Sequence, residues 1–176
     1  MLMEVATPLV SEVRDLAERA AQRGSIIAFQ ATLAAAAQAV QRALQYEENA
    51  ERAALSLAQN DALGVMTAEL RTVSDSLQAS LDAQGRCLMP PCVEAKKRGF
   101  RLLRRDRVAA VREECPAWWF SLTEAIESLE EGSTRMQALA NGQPTDAPSR
   151  VLSESTAELL REHHDRLLDE ADRWIG

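Results

Sequence analysis

The sequence predicts an all-α protein: an elongated antiparallel bundle of five or six helices. Three observations lead there. Apolar residues recur three and four positions apart in nearly every segment, as in Met66, Leu70, Val73, Leu77 and Leu81, which places them on one helical face. Alanine, the strongest helix former, is dense through residues 28–58. The seven glycines and six prolines fall mostly between the periodic segments, and no stretch alternates with the two-residue period of a strand.

The elements follow in order. Thr7-Pro8 starts a helix with a capping hydroxyl and a proline at the first helical position. Leu9, Val13, Leu16 and Ala20 form its stripe, and Gly24 ends it. Ser25 is placed to cap a second helix carrying Ile26, Phe29, Leu33, Ala36, Val40 and Leu44, which is expected to run unbroken to Gln59. Asn60-Asp61 reads as a break, and a third helix is expected over residues 62–84, stopped by Gly85. Pro90-Pro91 forces a turn. A fourth helix is expected over residues 93–114, with Phe100, Leu103 and Val111 near one face and Gly99 weakening it.

Cys115-Pro116 restarts the chain. Trp119, Leu122, Ile126, Leu129 and Met136 make a fifth stripe with a soft patch at Gly132-Ser133. Ser121–Glu124 also fits a capping box, which leaves two starting points for this helix. Residues 141–149, with Asn-Gly, Pro144, Asp146 and Pro148, read as a loop. The last helix carries Leu152, Leu159, Leu160, His163, Leu167, Ala171 and Trp174, and a second capping box at Ser155–Glu158 offers it a later start. Short connections imply antiparallel neighbours in one domain over residues 1–176, with 141–149 as its one loop-like break. No repeat of fixed length supports a solenoid.

An apolar share of 46% and a charged share of 27% suit a globular domain. Aromatics make up only 4%, so aliphatic residues and alanine must fill the interior. Met1-Leu2-Met3-Glu4 is followed by no long apolar run, so no signal peptide is expected. The longest uncharged run, residues 24–41, is too polar and too short for a membrane span. Three cysteines, Cys87, Cys92 and Cys115, are too few for a disulfide scaffold, and the odd number favours a reducing, cytoplasmic setting. Cys87 and Cys92 lack the second ligand pair that structural zinc requires.

The net charge of −7 is unevenly spread. Residues 96–112 hold Lys96, Lys97, Arg98, Arg101, Arg104, Arg105, Arg107 and Arg112 against Asp106 alone. The rest of the chain is strongly acidic, which argues against general nucleic-acid binding. On a helical wheel Arg98, Arg101, Arg105 and Arg112 share one side, with Lys97 and Arg104 beside them. Such like charges repel unless an acidic surface compensates, either within the chain, at Glu130-Glu131 or Asp169-Glu170, or on a partner. Arginine's planar fork suits carboxylate or phosphate contacts.

Trp118-Trp119-Phe120 concentrates three of the seven aromatics. Trp119 fits the core stripe. Trp118 and Phe120 diverge from it by about 100° each, so one of them is a candidate anchor at an interface. His163 falls on an apolar stripe and reads as a packed core histidine. Glu162, Asp165, Asp169 and Glu170 flank the His163-His164 pair, but the E-x-x-H pairs of diiron bundles are missing. Glu47-Glu48 and Glu130-Glu131 read as solvated faces. No phosphate-cradling loop, serine elbow or H-E-x-x-H occurs.

The sequence therefore leads to a non-enzymatic interaction module, with no catalytic, cofactor-binding or metal-ligating residue assigned and no small-molecule substrate. Its docking face is expected to comprise Lys97, Arg98, Arg101, Arg104, Arg105 and Arg112, with Trp118 or Phe120 as anchor and an acidic protein as partner. The periodic stripes also allow a homo-oligomer. The competing expectation is a peripheral membrane binder using the same basic helix and aromatics.

Overall fold

The computed structural model describes residues 6–83 and 116–175, and every regular element among them is α-helical. The helices are α1 (Ala6–Gln22), α2 (Ile26–Arg52), α3 (Leu57–Ala83), α4 (Pro116–Asn141) and α5 (Pro148–Ile175). The helix expected over 93–114 lies outside the described residues, as do Gly85, the Pro90-Pro91 turn and all three cysteines.

Two long-range contacts fix α2 antiparallel to α4: Arg42 meets Glu131, and Thr32 meets Gln143. Glu48 against Arg71 and Glu51 against Thr67 set α3 antiparallel to α2. A six-residue connection, 142–147, returns the chain into α5, which pairs with α4. Arg23, in the turn between α1 and α2, binds Asp146 in that connection through both its carboxylate and its carbonyl. The shorter α1 packs mainly on α5 and α3.

The first and third stripes read from the sequence are buried: Leu9, Val13, Leu16 and Ala20 on α1, and Met66, Leu70, Val73, Leu77 and Leu81 on α3. One cluster of buried side chains draws on all five helices, including Phe29, Leu33, Leu63, Leu122, Leu129 and Leu152. Each such fully buried leucine contributes about 1.5–3 kcal/mol. Buried alanines on α2 (Ala36, Ala37, Ala39, Ala43, Ala50) let its neighbours come close.

Local hydrogen bonds set where the helix boundaries agree with expectation and where they depart from it. Gly24, at φ +69°, ends α1 as predicted; the amides of Gly24 and Ser25 bond back to the carbonyls of Ala21 and Ala20, a Schellman closure that needs a residue at positive φ. Ser25, however, does not cap α2, and its hydroxyl is directed at the Ala20 carbonyl.

The second helix stops at Arg52 rather than Gln59. Ser56 Oγ accepts from the Gln59 amide, Gln59 Oε1 accepts from the Leu55 amide, and Asn60 Nδ2 donates to the Glu51 carbonyl. Asn60 and Asp61, expected as a break, thus sit inside α3, and Asn60 helps close α2. Finally, α5 begins at Pro148, not at the later capping box, since proline is well suited to a first helical turn.

The soft patch at Gly132-Ser133 is continuous helix. A Cβ at Gly132 would stand 3.0 Å from Leu160 Cδ1 and 3.7 Å from Ala39 Cβ, so glycine sets the spacing where α4 meets α5 and α2. Ser133 Oγ uses that proximity, donating to the Ala157 carbonyl at 2.9 Å.

Candidate functional site

The side chains most demanding of explanation are charged and buried. Glu47 is 0% exposed and His163 is 1% exposed. Glu47 extends the apolar stripe of α2, one turn past Ala43 and Leu44. His163 occupies the matching place on α5, as the sequence predicted. Contrary to expectation Glu47 is not solvated: only its neighbour Glu48 turns outward, to Arg71 at 2.7 Å and Arg52 at 3.5 Å.

The ring of His163 lies between two carboxylates. Nδ1 is 3.4 Å from Glu47 Oε1, and Nε2 is 3.3 Å from Glu69 Oε2 on α3. The same Glu69 oxygen accepts from Arg166 Nη1 at 2.7 Å. Two acids and two bases from three helices therefore form one chain: Glu47, His163, Glu69, Arg166. Its histidine contacts are ion pairs, longer than the roughly 2.7–2.9 Å of a short charge-assisted hydrogen bond. Among the described residues neither Glu47 oxygen and neither ring nitrogen of His163 has a hydrogen-bond partner.

Burial alone would drive His163 toward its neutral form, but Glu47 and Glu69 outweigh it and raise its pKa to about 9. Glu69 is pushed up by partial burial, yet His163 and Arg166 hold it below the ordinary value of 4.5. Glu47, more deeply buried, sits above 4.5 because desolvation exceeds what His163 and Arg166 return. The imidazolium is thus the group that makes a buried Glu47 tolerable.

This chain is not arranged as a metal centre. The two ring nitrogens point to different carboxylates, and Arg166 occupies the Glu69 side. Among the described residues no group of three or more His, Cys, Asp or Glu side chains is placed to hold a metal ion. His164 meets Asp165 at 3.0 Å.

Two grooves cross the surface. One, of about 320 Å³, runs between α2 and α4 and is lined by Gln41, Arg42, Tyr46, Ser128 and Arg135 among others. Glu131 engages both guanidiniums, at 3.4 and 3.2 Å. The other, of about 470 Å³, lies between α4 and α5 beside His164 and Arg161. Between them α4 carries Glu124, Glu127, Glu130 and Glu131; partial burial and these like charges raise Glu127 above 4.5.

Of the expected docking residues, Lys97, Arg98, Arg101, Arg104, Arg105 and Arg112 lie outside the described residues. Trp118 and Phe120 part company. Trp118 is 2% exposed, with ring centroids 6.3 Å from Trp119 and 5.9 Å from Trp174. It is a core residue at the mouth of α4, not a surface anchor, because α5 brings Trp174 over it. Phe120 is 58% exposed. It lies at the same end of the bundle as the turn joining α2 and α3, where Leu55, Leu57 and Val65 are also exposed.

Among the described residues no helix is long and apolar enough to cross a membrane. Comparison with protein families, curated proteins and solved structures found no match.

Proposed function

We propose that the protein is a non-enzymatic interaction module, a rigid helical bundle that docks an acidic protein partner. The observation that carries this reading is the exposure of Phe120, at 58%, on an otherwise well-buried aromatic trio. A large aromatic held on a rigid helix is a favoured anchor. Leu55, Leu57 and Val65 at the same end of the bundle add apolar surface. The basic run at residues 96–112 supplies the complementary charge, and an acidic partner would raise the association rate through it. The three cysteines support a reducing compartment as the setting.

The test compares the full chain with Phe120→Ala and with Arg101→Glu/Arg105→Glu, each immobilised and used to capture proteins from the native source. Helicity is checked by circular dichroism. Both variants should keep their helicity and lose capture of a shared set of proteins. Undiminished capture contradicts the reading. Sedimentation with phosphatidylserine vesicles that rises with anionic lipid and falls with salt would favour a membrane surface instead.

A further inference from the structure

We propose that Glu47, His163 and Glu69 form a proton-operated latch on the seam between α3 and α5: loss of one proton from His163 frees Glu69, and loosens α3, while Glu47 keeps the ring tied to α2. This goes beyond the docking reading and does not depend on it.

Counting donors gives the latch its direction. An imidazolium has two N–H groups, a neutral imidazole only one. With two, Nδ1 stands 3.4 Å from Glu47 and Nε2 3.3 Å from Glu69, ion-pair contacts in which neither nitrogen reaches hydrogen-bond geometry. With one, a carboxylate must face a lone pair. The two carboxylates are unequal in what else they can reach. Glu69 shares Arg166 at 2.7 Å, whereas Glu47 is fully buried with no hydrogen-bond partner among the described residues. The remaining proton therefore stays on Nδ1, for Glu47. The lone pair of Nε2 then opposes Glu69 Oε2, two acceptors at close range.

The loss is felt where the structure is thinnest. Contact between α3 and α5 is slight, while α3 is broadly packed on α2. The Glu69 contacts to His163 and Arg166 are ion pairs across that seam. Weakening one of them loosens α3 from α5 without detaching it from α2. The charged groups acting on the ring are Glu47 from α2, Glu69 from α3 and Arg166 from α5 itself. Arg166 opposes protonation; the carboxylates overcome it, so the latch opens near pH 9.

Two measurements on the full chain test this. Nitrogen-15 chemical shifts of His163, followed from pH 7 to roughly 10.5, report the tautomer formed after proton loss. The latch requires the Nδ1–H form; the Nε2–H form overturns it. Amide exchange, corrected for its intrinsic pH dependence, reports the seam. Protection around Glu69 should fall severalfold across the transition, the scale of one partly buried ion pair, while amides around Val40 hold. Glu69→Gln, whose side-chain amide can donate to or accept from Nε2, should flatten that response. An equal fall in the variant and the wild type contradicts the latch. If the variant does not fold, the tautomer in the unmodified chain decides the matter.

Discussion

The inward face of α5 is closed in two different ways along its length. Around Ala157 and Leu160 it meets Gly132 and Ser133 of α4 so closely that an added methyl group would touch Leu160 at 3.0 Å. That contact is made by small size and one serine hydroxyl. Within the next two turns, His163 and Arg166 meet Glu47 and Glu69, and the contact is made by charge. The dry region depends on shape and is indifferent to pH. The charged region depends on every member keeping its partner and its proton. One helix thus carries both a packed seam and a conditional one.

The largest effect should come from breaking the charged region on one side only. His163→Leu leaves the Glu47 carboxylate buried without a cation, which should cost about 3–5 kcal/mol in denaturant unfolding. Glu47→Leu/His163→Leu removes both charges, and Glu69 keeps Arg166, so stability should return close to that of the wild type or exceed it. A double variant as weak as the single one would mean that shape, not charge, governs this region too.

The same contrast should be visible without mutation. His163 rises from 6.5 to about 9 in the folded state, so its contribution is complete below pH 6.5 and disappears as pH climbs through 9. That is about 3 kcal/mol at 1.36 kcal/mol per pH unit. Glu69, held below 4.5, adds stability above that pH and loses it on acidification through its lowered value. Glu47, raised above 4.5, acts in the opposite sense, its ionisation costing stability as pH rises. Unfolding free energies measured from mildly acidic to alkaline pH should therefore fall on the alkaline side. The double variant should lack that fall.

The packed region should respond to size alone. Gly132→Leu should cost about 1–3 kcal/mol through overpacking against Leu160 and Ala39. Gly132→Ala gains about 1 kcal/mol of helix propensity and loses a similar amount against the flexible end of Leu160, for a net change near zero. Neither penalty should vary with pH. The smallest effect belongs to the exposed Arg23–Asp146 pair: Arg23→Ala should cost under about 1 kcal/mol, and less at high salt.

The two regions were also unequally legible in the sequence. Helical periodicity placed Leu160 and His163 in the core, and Gly24 marked the end of α1, because spacing and positive φ are local properties. The stop at Arg52 was missed since residues 50–58 contain no glycine or proline; the signal was the S-x-x-Q box from Ser56 to Gln59. Gly132 looked like a weak point because its use, close approach to Leu160, exists only in three dimensions. Glu47 was misread beside Glu48 as a solvated pair, although it continues the stripe of Val40, Ala43 and Leu44. Two ionisable residues on apolar stripes, Glu47 and His163, could have been matched to each other. Glu69 could not, since it stands beside its stripe and is recruited by how α3 and α5 cross. The residues expected to dock a partner stand out in the sequence only by charge and aromatic content, which do not reveal that Trp174 covers Trp118 and leaves Phe120 outside.

The most direct measurement of the charged core is the protonation state of His163 at neutral pH, read from its two ring nitrogen-15 shifts. A doubly protonated ring at pH 7.5, titrating near 9, is what carboxylates on both edges require. A neutral ring at that pH would mean that burial prevails over Glu47 and Glu69, and that the interior of this bundle is not held by an ion chain.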